Sequence, residues 1–424
     1  MSALDWKLRG QDRDILRGLA ERVRRIADSP RNRVLRQLWQ HHDENRGERP
    51  LILTETDGGL ELVWPDFRLR CREKWARDQE YGLAQILCHV ETIGDDWPVE
   101  PYVACGWTLS ISDFGVPIHQ TRPETQGTRG AFHIDAALTD LEAEFDRLKP
   151  RTYTMDRERS LAATAFLEEV YAGILGVRRR GNPWWSLGLT LIAIDLIGLE
   201  GLMLDMYDQP AALHRLMAFL RDDNLALLRW LEQEGLLTLN NENDYIGSGS
   251  RGYTRALPPP GRAPDQPVRS RDLWGLLESQ ETVGVGADQY AEFVFPYENA
   301  IAEQLGRVYY GCCEPVHVRW PVLERMANLK RVSVSPWCDE PFMATALGNR
   351  FGYSRKPNPS LISTAVFDEE RIRQDLRTTM GLAKTHGCSL EIAMKDVHTL
   401  HGEPDRLTRW VNLARAVSRE VYGQ

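Results

Sequence analysis

The sequence predicts an α/β fold, a TIM (β/α)8 barrel with an N-terminal helical and β-hairpin extension. In the second half of the chain, short apolar runs alternate with segments of helical periodicity. Apolar strands that alternate with helices are typical of a parallel sheet, and eight such strands that close into a barrel are the most economical architecture. The predicted strands are LLTLNNENDY (236–245), LWGLLESQE (273–281), RVYYGCC (307–313), LKRVSVSP (329–336), FGYSRK (351–356) and LEIAMKDV (390–397).

The N-terminal region has a different pattern. Residues 1–48 are charged, with apolar positions at helical intervals. The segment LILTETDGGLELVW (51–64) alternates and has a turn sequence at Asp57, Gly58 and Gly59, which predicts a β-hairpin. We expect residues 1–150 to form a cap region and residues 151–424 the barrel domain, joined as one continuous body.

Two helices and a loop are predicted around the middle of the chain. The periodicity over 156–175 and 210–234 predicts long amphipathic helices, the second of which begins with a proline. The proline-rich segment ALPPPGRAPDQPV (256–268) can neither pair in a sheet nor continue a helix, so it should form an exposed loop.

Composition and charge exclude several classes of function. A net charge of −9, without a concentrated basic face, argues against nucleic-acid binding. The most apolar stretch, 187–204, contains Asp195 and Glu200, which a bilayer core would penalise. The N-terminus has no apolar signal core, and the seven cysteines have no regular spacing, which favours a reducing cytoplasm.

Polar residues follow the predicted strands. In a parallel barrel the functional groups come from the carboxyl ends of the strands, so these residues should converge on one opening. They are Asn240, Asn241, Asp244, Gln280, Glu281, Cys312, Cys313, Glu314, Trp337, Asp339, Arg355, Lys356, Asn358, Lys395, Asp396 and His398.

A zinc site can be assembled from this set. Cys312 and Cys313 with His398, and one carboxylate from Glu281, Glu314 or Asp396, provide the thiolate, imidazole and carboxylate ligands that suit Zn²⁺. Two other interpretations stay open, a metal-free polar pocket and a strand end without function, because adjacent residues of a strand point to opposite faces. In RGNPWWSLG, Trp185 and Asn182 are expected in the wall of a pocket for a methylated ligand.

Three segments resemble a known family. The run SQETVGVGADQYAEFVFPYENAIAEQLGRVYYGCCEP, followed by LKRVSVSPWCD and EIAMKDVHT, resembles the uroporphyrinogen decarboxylase superfamily, which includes zinc-dependent methyltransferases that serve corrinoid proteins. The resemblance covers about half of the chain and implies a TIM barrel with one cleft at the strand ends. The decarboxylases' N-terminal RQAGRY segment is missing. At the methyltransferases' His-x-Cys pair, Tyr310 replaces the histidine while Cys312 is retained, and Asp396 and His398 stand where those enzymes have a later cysteine.

The leading hypothesis is a cytoplasmic methyltransferase that moves a methyl group from a small O-, N- or S-methylated compound to a corrinoid protein or a folate. A homodimer is compatible with the sequence. The alternatives are a metal-free decarboxylase or lyase of a non-porphyrin carboxylic acid, in which Lys356 or Arg355 receives the carboxylate and Asp396 handles protons, and a corrinoid or metabolite binding protein. The hypothesis assigns catalysis to Glu281, Asp396 and Lys356, substrate binding to Asn240, Asn241, Tyr310, Arg355, Asn182 and Trp185, and zinc to Cys312, Cys313 and His398.

Overall fold

The centre of the molecule is a six-stranded parallel sheet. The computed structural model describes residues 4–55, 59–121, 133–263 and 265–423. The sheet has the strand order β1-β14-β13-β12-β11-β10. The strands are β1 (Leu51–Thr54), β2 (Tyr102–Cys105), β3 (Leu109–Ile111), β4 (His119–Thr121), β5 (His133–Asp135), β6 (Tyr153–Met155), β7 (Gly176–Arg179), β8 (Tyr245–Gly247), β9 (Ser250–Arg251), β10 (Trp274–Leu277), β11 (Arg307–Tyr310), β12 (Leu329–Val334), β13 (Gly352–Arg355) and β14 (Leu390–Met394).

Helices cover the sheet and form most of the N-terminal region. They are α1 (Gly10–Ala27), α2 (Pro30–Asp43), α3 (Lys74–Leu87), α4 (Leu141–Glu144), α5 (Arg157–Tyr171), α6 (Thr190–Asp208), α7 (Pro210–Gln233), α8 (Ala287–Phe293), α9 (Phe295–Ala302), α10 (Trp320–Leu323), α11 (Glu340–Leu347), α12 (Ser360–Ser363), α13 (Glu369–Thr385) and α14 (Arg406–Tyr422). A π-helix, Cys88–Ile93, extends α3. None of the helices in the described parts of the chain is long and apolar enough to cross a membrane.

The strands from β10 to β14 confirm five of the predicted runs. They pair in parallel with their sequence neighbours, for example Val332 with Tyr353 and Ser354 with Glu391. All four residues of β10 and all five of β14 are buried, because helices pack on one face and polypeptide from the N-terminal region and β8–β9 lies on the other. Burial on both faces explains the continuous apolar runs. The two predicted long helices, α5 and α7, are also confirmed, and Pro210 occupies the first turn of α7.

The predicted hairpin over 51–64 is wrong. Leu51–Thr54 forms a strand, but it pairs in parallel with β14, with Leu51 opposite Glu391 and Thr54 opposite Met394. The segment Leu60–Leu62 forms a 3₁₀ helix instead of a return strand. Of the turn residues, Asp57 and Gly58 lie outside the described residues. The N-terminal region therefore contributes a strand to the central sheet, and the division at residue 150 stays a prediction.

The α/β class with a parallel sheet is confirmed, and the eight-stranded closed barrel stays a prediction. The predicted strand over 236–245 is wrong for most of its length, since only Tyr245 belongs to a strand. The remaining strands form two-stranded sheets, of which β2–β7 is parallel and β3–β6, β4–β5 and β8–β9 are antiparallel.

Helix α2 closes the amino end of the sheet through buried charges. Its last residue, Asp43, accepts a hydrogen bond of 3.0 Å from Arg307 at the start of β11. His42 Nε2 lies 3.2 Å from an oxygen of Glu391, which also lies 3.3 Å from Arg331 Nη1. All of these side chains except Arg307 are almost completely buried. The pairing of opposite charges makes their burial tolerable.

Candidate functional site

Polar and ionisable side chains collect at the carboxyl edge of the sheet. Because all six strands are parallel, their carboxyl ends lie on one edge, where α/β proteins generally bind their ligands. Most of these side chains are buried, although ionisable groups are rarely buried without a reason. The side chains that follow the strands in this way are Glu55, Glu278, Cys312, Cys313, Lys356, Lys395 and Asp396.

The two thiols lie side by side. Cys312 Sγ and Cys313 Sγ are 3.6 Å apart, with Cys312 buried and Cys313 half-buried. Strand β11 ends before them, and Gly311 has a φ of +96°, a value that favours glycine. This turn explains why adjacent cysteines do not point to opposite faces as they would in an extended strand. Glu314 fixes the turn by accepting hydrogen bonds from the backbone N–H of Cys312 at 2.8 Å and of Ser279 at 3.0 Å.

Lys395 joins the thiols to a carboxylate. Its Nζ lies 2.8 and 2.9 Å from the two oxygens of Asp396 and 4.0 Å from Cys313 Sγ. Asp396 has a φ of +59°, so the chain turns directly after Lys395 and brings the carboxylate back to the ammonium group. Burial by itself would lower the pKa of Lys395, but Cys312, Cys313 and Asp396 raise that pKa above its ordinary value.

The two thiols differ in acidity. The hydrogen bond between them lowers the pKa of Cys313 to about 7, and the Lys395 ammonium contributes to this lowering against the effect of burial. The same hydrogen bond is the main reason why the pKa of Cys312 is raised, and burial is the second reason. Cys313 is therefore the thiol that ionises near neutral pH, and a thiolate is the reactive form of cysteine.

Lys356 occupies the corresponding place at the end of β13. It is 2% exposed, and its Nζ lies 2.5 Å from Ser354 Oγ and 5.8 Å from the centre of the Tyr309 ring. Ser354 Oγ in turn donates a short hydrogen bond to Glu391. Burial lowers the pKa of Lys356 to about 8, and the nearby Lys395 ammonium adds to this effect.

Two partly exposed aromatic residues, Trp185 and Tyr245, lie beside the strand-end side chains. Trp185 Nε1 donates a hydrogen bond of 3.3 Å to the Tyr245 hydroxyl, and the two residues are 44% and 38% exposed. Burial raises the pKa of Tyr245 to about 12. Glu55 and Cys312 also raise this pKa, whereas Lys395 lowers it. Trp185 thus lies near the strand-end residues, and its place in the wall of a ligand pocket stays a prediction.

A second group of acids lies at the ends of β10 and β11. Glu281, a predicted catalytic residue, accepts a hydrogen bond of 2.7 Å from Thr190 Oγ1 at the start of α6. Burial, with the charges of Glu281 and Glu314, raises the pKa of Glu278 to about 8. Burial also raises the pKa of the fully buried Glu298 well above its ordinary value, so this region holds acids that stay protonated at neutral pH.

Two predicted substrate-binding residues point away from the strand ends. Arg355 makes an ion pair with Glu340 of α11 and lies 3.6 Å from Asp375 of α13. The Tyr310 hydroxyl lies 2.9 Å from that of Tyr290 in α8. Both side chains are therefore on the helix-covered face, and their predicted placement in the site is wrong. Strand alternation is the reason: Lys356, which follows Arg355, faces the other side.

The three predicted asparagines bind backbone groups. Asn240 donates to the carbonyl of Trp274 and accepts from its N–H, both at 2.9 Å. Asn182 makes the same pair of bonds with Thr238 at 3.1 Å. Asn241 donates to a carbonyl of the proline-rich loop at 2.8 Å. These amides join irregular segments to their neighbours, so their hydrogen bonds are occupied within the protein.

The predicted zinc ligands do not come together. His398 is exposed and lies in the loop after β14, whereas Cys312 and Cys313 are held by each other and by Lys395. In residues 4–55, 59–121, 133–263 and 265–423, no three side chains of His, Cys, Asp or Glu are arranged so that they could hold a metal ion. Cys312, Cys313 and His398 are therefore not assembled as a ligand set in these residues, and the zinc site stays a prediction.

The sequence predicts Lys395 at a strand end without a role, and Glu55 and Glu278 are not among the predicted site residues. The predicted hairpin contains Glu55, whereas the structure places this residue directly after a strand of the central sheet. Glu278 stands inside an apolar run and follows Leu277, the last residue of β10. A buried acid directly after an apolar strand is a signal that would have found Glu278, because parallel strands place their last residues at the ligand-binding edge.

The fold and the site define an α/β protein with a buried ionisable group at the carboxyl edge of a parallel sheet. No family model matches the sequence, and none of the curated proteins compared with it matches either. Among solved structures, the chain is similar to a methyltransferase from Methanosarcina mazei, with 11% sequence identity and a TM-score of 0.48 over 91% of this chain and 98% of that chain. A structural similarity at this level does not support an inference about function. Any such inference must rest on the residues of the site.

Proposed function

We propose that this protein is a methyltransferase that removes a methyl group from a small O-, N- or S-methylated compound. The observation that carries the proposal is the Lys395 ammonium group, which is buried at the carboxyl edge of the sheet and held by Asp396 at 2.8 Å and Cys313 at 4.0 Å. Demethylation leaves an electron pair on the heteroatom that loses the methyl group. A fixed cation in a buried site stabilises that developing charge.

Lys395 can act in this way while it is paired with Asp396. An ammonium group has three donors, and the two contacts to Asp396 leave at least one N–H for a substrate heteroatom. Because the pKa of Lys395 is raised, against the effect of burial, by the thiols and Asp396, the group stays charged at neutral pH. Asp396 orients the ammonium group, and Trp185 with Tyr245 provides an apolar wall for the methylated part of the substrate.

We propose a corrinoid protein or a folate as the methyl acceptor. A bound corrinoid would supply a strongly nucleophilic cobalt. Three exposed apolar side chains lie in the segments after β10, β11 and β12, where an acceptor would approach the site: Val283, Val318 and Trp337. Zinc has no part in this proposal, because the thiols and His398 are not assembled.

The lyase alternative is less well supported. A carboxylic-acid substrate needs a cation that can receive its carboxylate, and Arg355 is ion-paired with Glu340 on the other face of the sheet. Lys395 already binds a carboxylate of the protein, Asp396. A lyase that used Arg355 or Lys395 would therefore bind its substrate in competition with an internal ion pair, and the remaining candidate, Lys356, is an amine whose pKa burial lowers to about 8.

Methyl transfer can be tested with defined donors and free cob(I)alamin as the acceptor, followed by the absorbance of methylcobalamin. The donors are methanol, trimethylamine, dimethyl sulfide and a methoxybenzoate. The Lys395→Met variant should lose at least about 100-fold in rate, as expected when a charge-stabilising donor is removed. The matched variant Lys384→Met, on an exposed lysine of α13, should keep the wild-type rate.

Two outcomes would overturn the proposal. The first is wild-type protein that transfers methyl groups from none of these donors while it binds one of them tightly, which would indicate a binding protein. The second is a Lys395→Met variant that is folded and has the wild-type rate.

A further inference from the structure

Lys356 is a buried amine without an ion pair. In the described parts of the chain, no carboxylate oxygen lies within ion-pairing distance of its Nζ, and its polar contacts are Ser354 Oγ at 2.5 Å and the Ser354 carbonyl at 3.4 Å. Lys395, at the end of the next strand, is almost equally buried but has both oxygens of Asp396 within 2.9 Å. A buried ammonium without a carboxylate is costly, so the amine gives up its proton more readily than an ordinary lysine does.

Burial is the main factor that favours the neutral amine, and the Lys395 ammonium on β14 adds to it. Glu391 of β14, Glu55 after β1 and Cys312 after β11 act in the opposite direction, but the pKa of Lys356 is still lowered to about 8. Glu391 also pairs with Arg331 and accepts a hydrogen bond from Ser354, so Lys356 is not its main partner. The ring of Tyr309 covers one side of the amine at 5.8 Å. A desolvated lysine beside a second cation is a recurrent arrangement in enzymes that use an amine as a nucleophile.

The charges around Lys356 also limit the ligand class. Lys395 is the nearby cation, and its charge is offset by Asp396 and by the thiolate that Cys313 forms near neutral pH. Glu55 adds a further carboxylate to the same edge. An anionic ligand therefore meets no excess of positive charge, and a neutral ligand fits better.

We propose that Lys356 condenses with small neutral aldehydes or ketones to form a protein-bound imine. The Nζ electron pair attacks the carbonyl carbon to form a carbinolamine, and the carbonyl oxygen then leaves as water with the two hydrogens of the amine. The products are an Nζ=C double bond and one water molecule, and no oxidant or reductant is required. This inference goes beyond methyl transfer and does not depend on it.

Reductive trapping tests the inference directly. The folded full-length protein is incubated with acetone and cyanoborohydride, which reduces an imine to a stable secondary amine, and the modified lysine is located by peptide mass spectrometry. Lys330 is the matched internal control: burial lowers its pKa to about 8, as in Lys356, but it lies near the amino end of β12 and is more exposed.

We expect labelling of Lys356 to exceed that of Lys330 at least tenfold, and pyruvate at the same concentration to label Lys356 less than acetone does. Greater labelling of Lys330 would overturn the inference, since amine acidity and exposure alone would then explain the reaction. Greater labelling of Lys356 by pyruvate would overturn the assignment to neutral carbonyl compounds.

Variants separate this result from a loss of fold. Lys356→Met and Lys356→Arg should both lose the label at this position, and their circular dichroism should match that of the wild type. The label does not require methyl transfer, so wild-type protein that is inactive with every methyl donor should still be trapped at Lys356. Failure of trapping with intact methyl transfer would leave the methyltransferase proposal standing and remove this one.

Discussion

Lys356 and Lys395 end neighbouring strands of the same sheet, yet their pKa values are shifted in opposite directions. Both are less than 10% exposed. Burial lowers the pKa of Lys356 to about 8, whereas Asp396 and the thiols raise the pKa of Lys395 in spite of burial. The two thiols and Asp396 make the difference, and Asp396 reaches Lys395 because it adopts a φ of +59° directly after it. Direct contact with anionic groups thus keeps Lys395 charged, whereas Lys356, without such a contact, loses its proton at a lower pH.

The largest expected effect comes from the buried carboxylate below both lysines. Glu391→Gln removes the nearer of the two buried carboxylates of Arg331 and leaves Asp43, 3.6 Å away, as its charged partner in the interior, so the free energy of unfolding should fall by about 3–5 kcal/mol. Urea denaturation measures this change. The control Glu370→Gln removes an exposed ion pair with Arg377 and should cost less than about 1 kcal/mol. Equal effects of the two variants would show that the interior charges do not form the network described.

Lys356→Met tests the ionisation state of the amine through stability. Burial lowers the pKa of Lys356 to about 8, whereas that of an unfolded chain is about 10.4, so the unfolded state binds more protons between these values. The stability of the wild type should therefore rise with pH through this window. At pH values below this window, the buried ammonium group of Lys356 lowers the free energy of unfolding by about 3 kcal/mol.

The variant has no such cost. At pH 7 it should be more stable than the wild type by up to about 3 kcal/mol, and this gain should shrink towards zero by about pH 10. Urea denaturation at both pH values provides the measurement, with Lys384→Met as the control. A difference between variant and wild type that does not change with pH would contradict the lowered pKa of Lys356.

Alkylation by iodoacetamide compares the two thiols. The hydrogen bond with Cys312 and the Lys395 ammonium lower the pKa of Cys313 to about 7, so its reaction rate should rise with pH around a midpoint near 7. At pH 7 it should react about tenfold faster than an ordinary thiol with a pKa of about 8.5. In Lys395→Met the midpoint should move to higher pH, because a cation that favours the thiolate is lost. If peptide mapping found Cys312 to be the faster thiol, the assignment would be reversed.

The smallest expected effect is at His398. Because this side chain is exposed and lies away from the thiols, His398→Ala should change the free energy of unfolding by less than about 0.5 kcal/mol. It should also leave the zinc content of the purified protein unchanged, as measured by elemental analysis. A stoichiometric zinc ion that disappears in this variant would restore the predicted ligand set.

The sequence by itself determined the strands β10 to β14 and the long helices. Strands buried on both faces must be apolar throughout, so β10 and β14 are visible as short continuous runs. The position of the site at the carboxyl edge also followed from the alternation of strands and helices. The pairing of β1 with β14 could not be predicted from the sequence, because it joins residues about 340 positions apart. In addition, the local alternation around Gly59 resembles a hairpin.

The tertiary structure decided which side chains meet. Arg355 and Lys356 are consecutive cations at a strand end, and alternation requires that they face opposite sides, but only the packing of α11 and α13 against Arg355 shows which side each one faces. The turn at Gly311 brings both thiols together, and the turn at Asp396 gives Lys395 its partner. Ionisation depends on burial and on neighbours within a few ångströms, and these are properties of the folded chain.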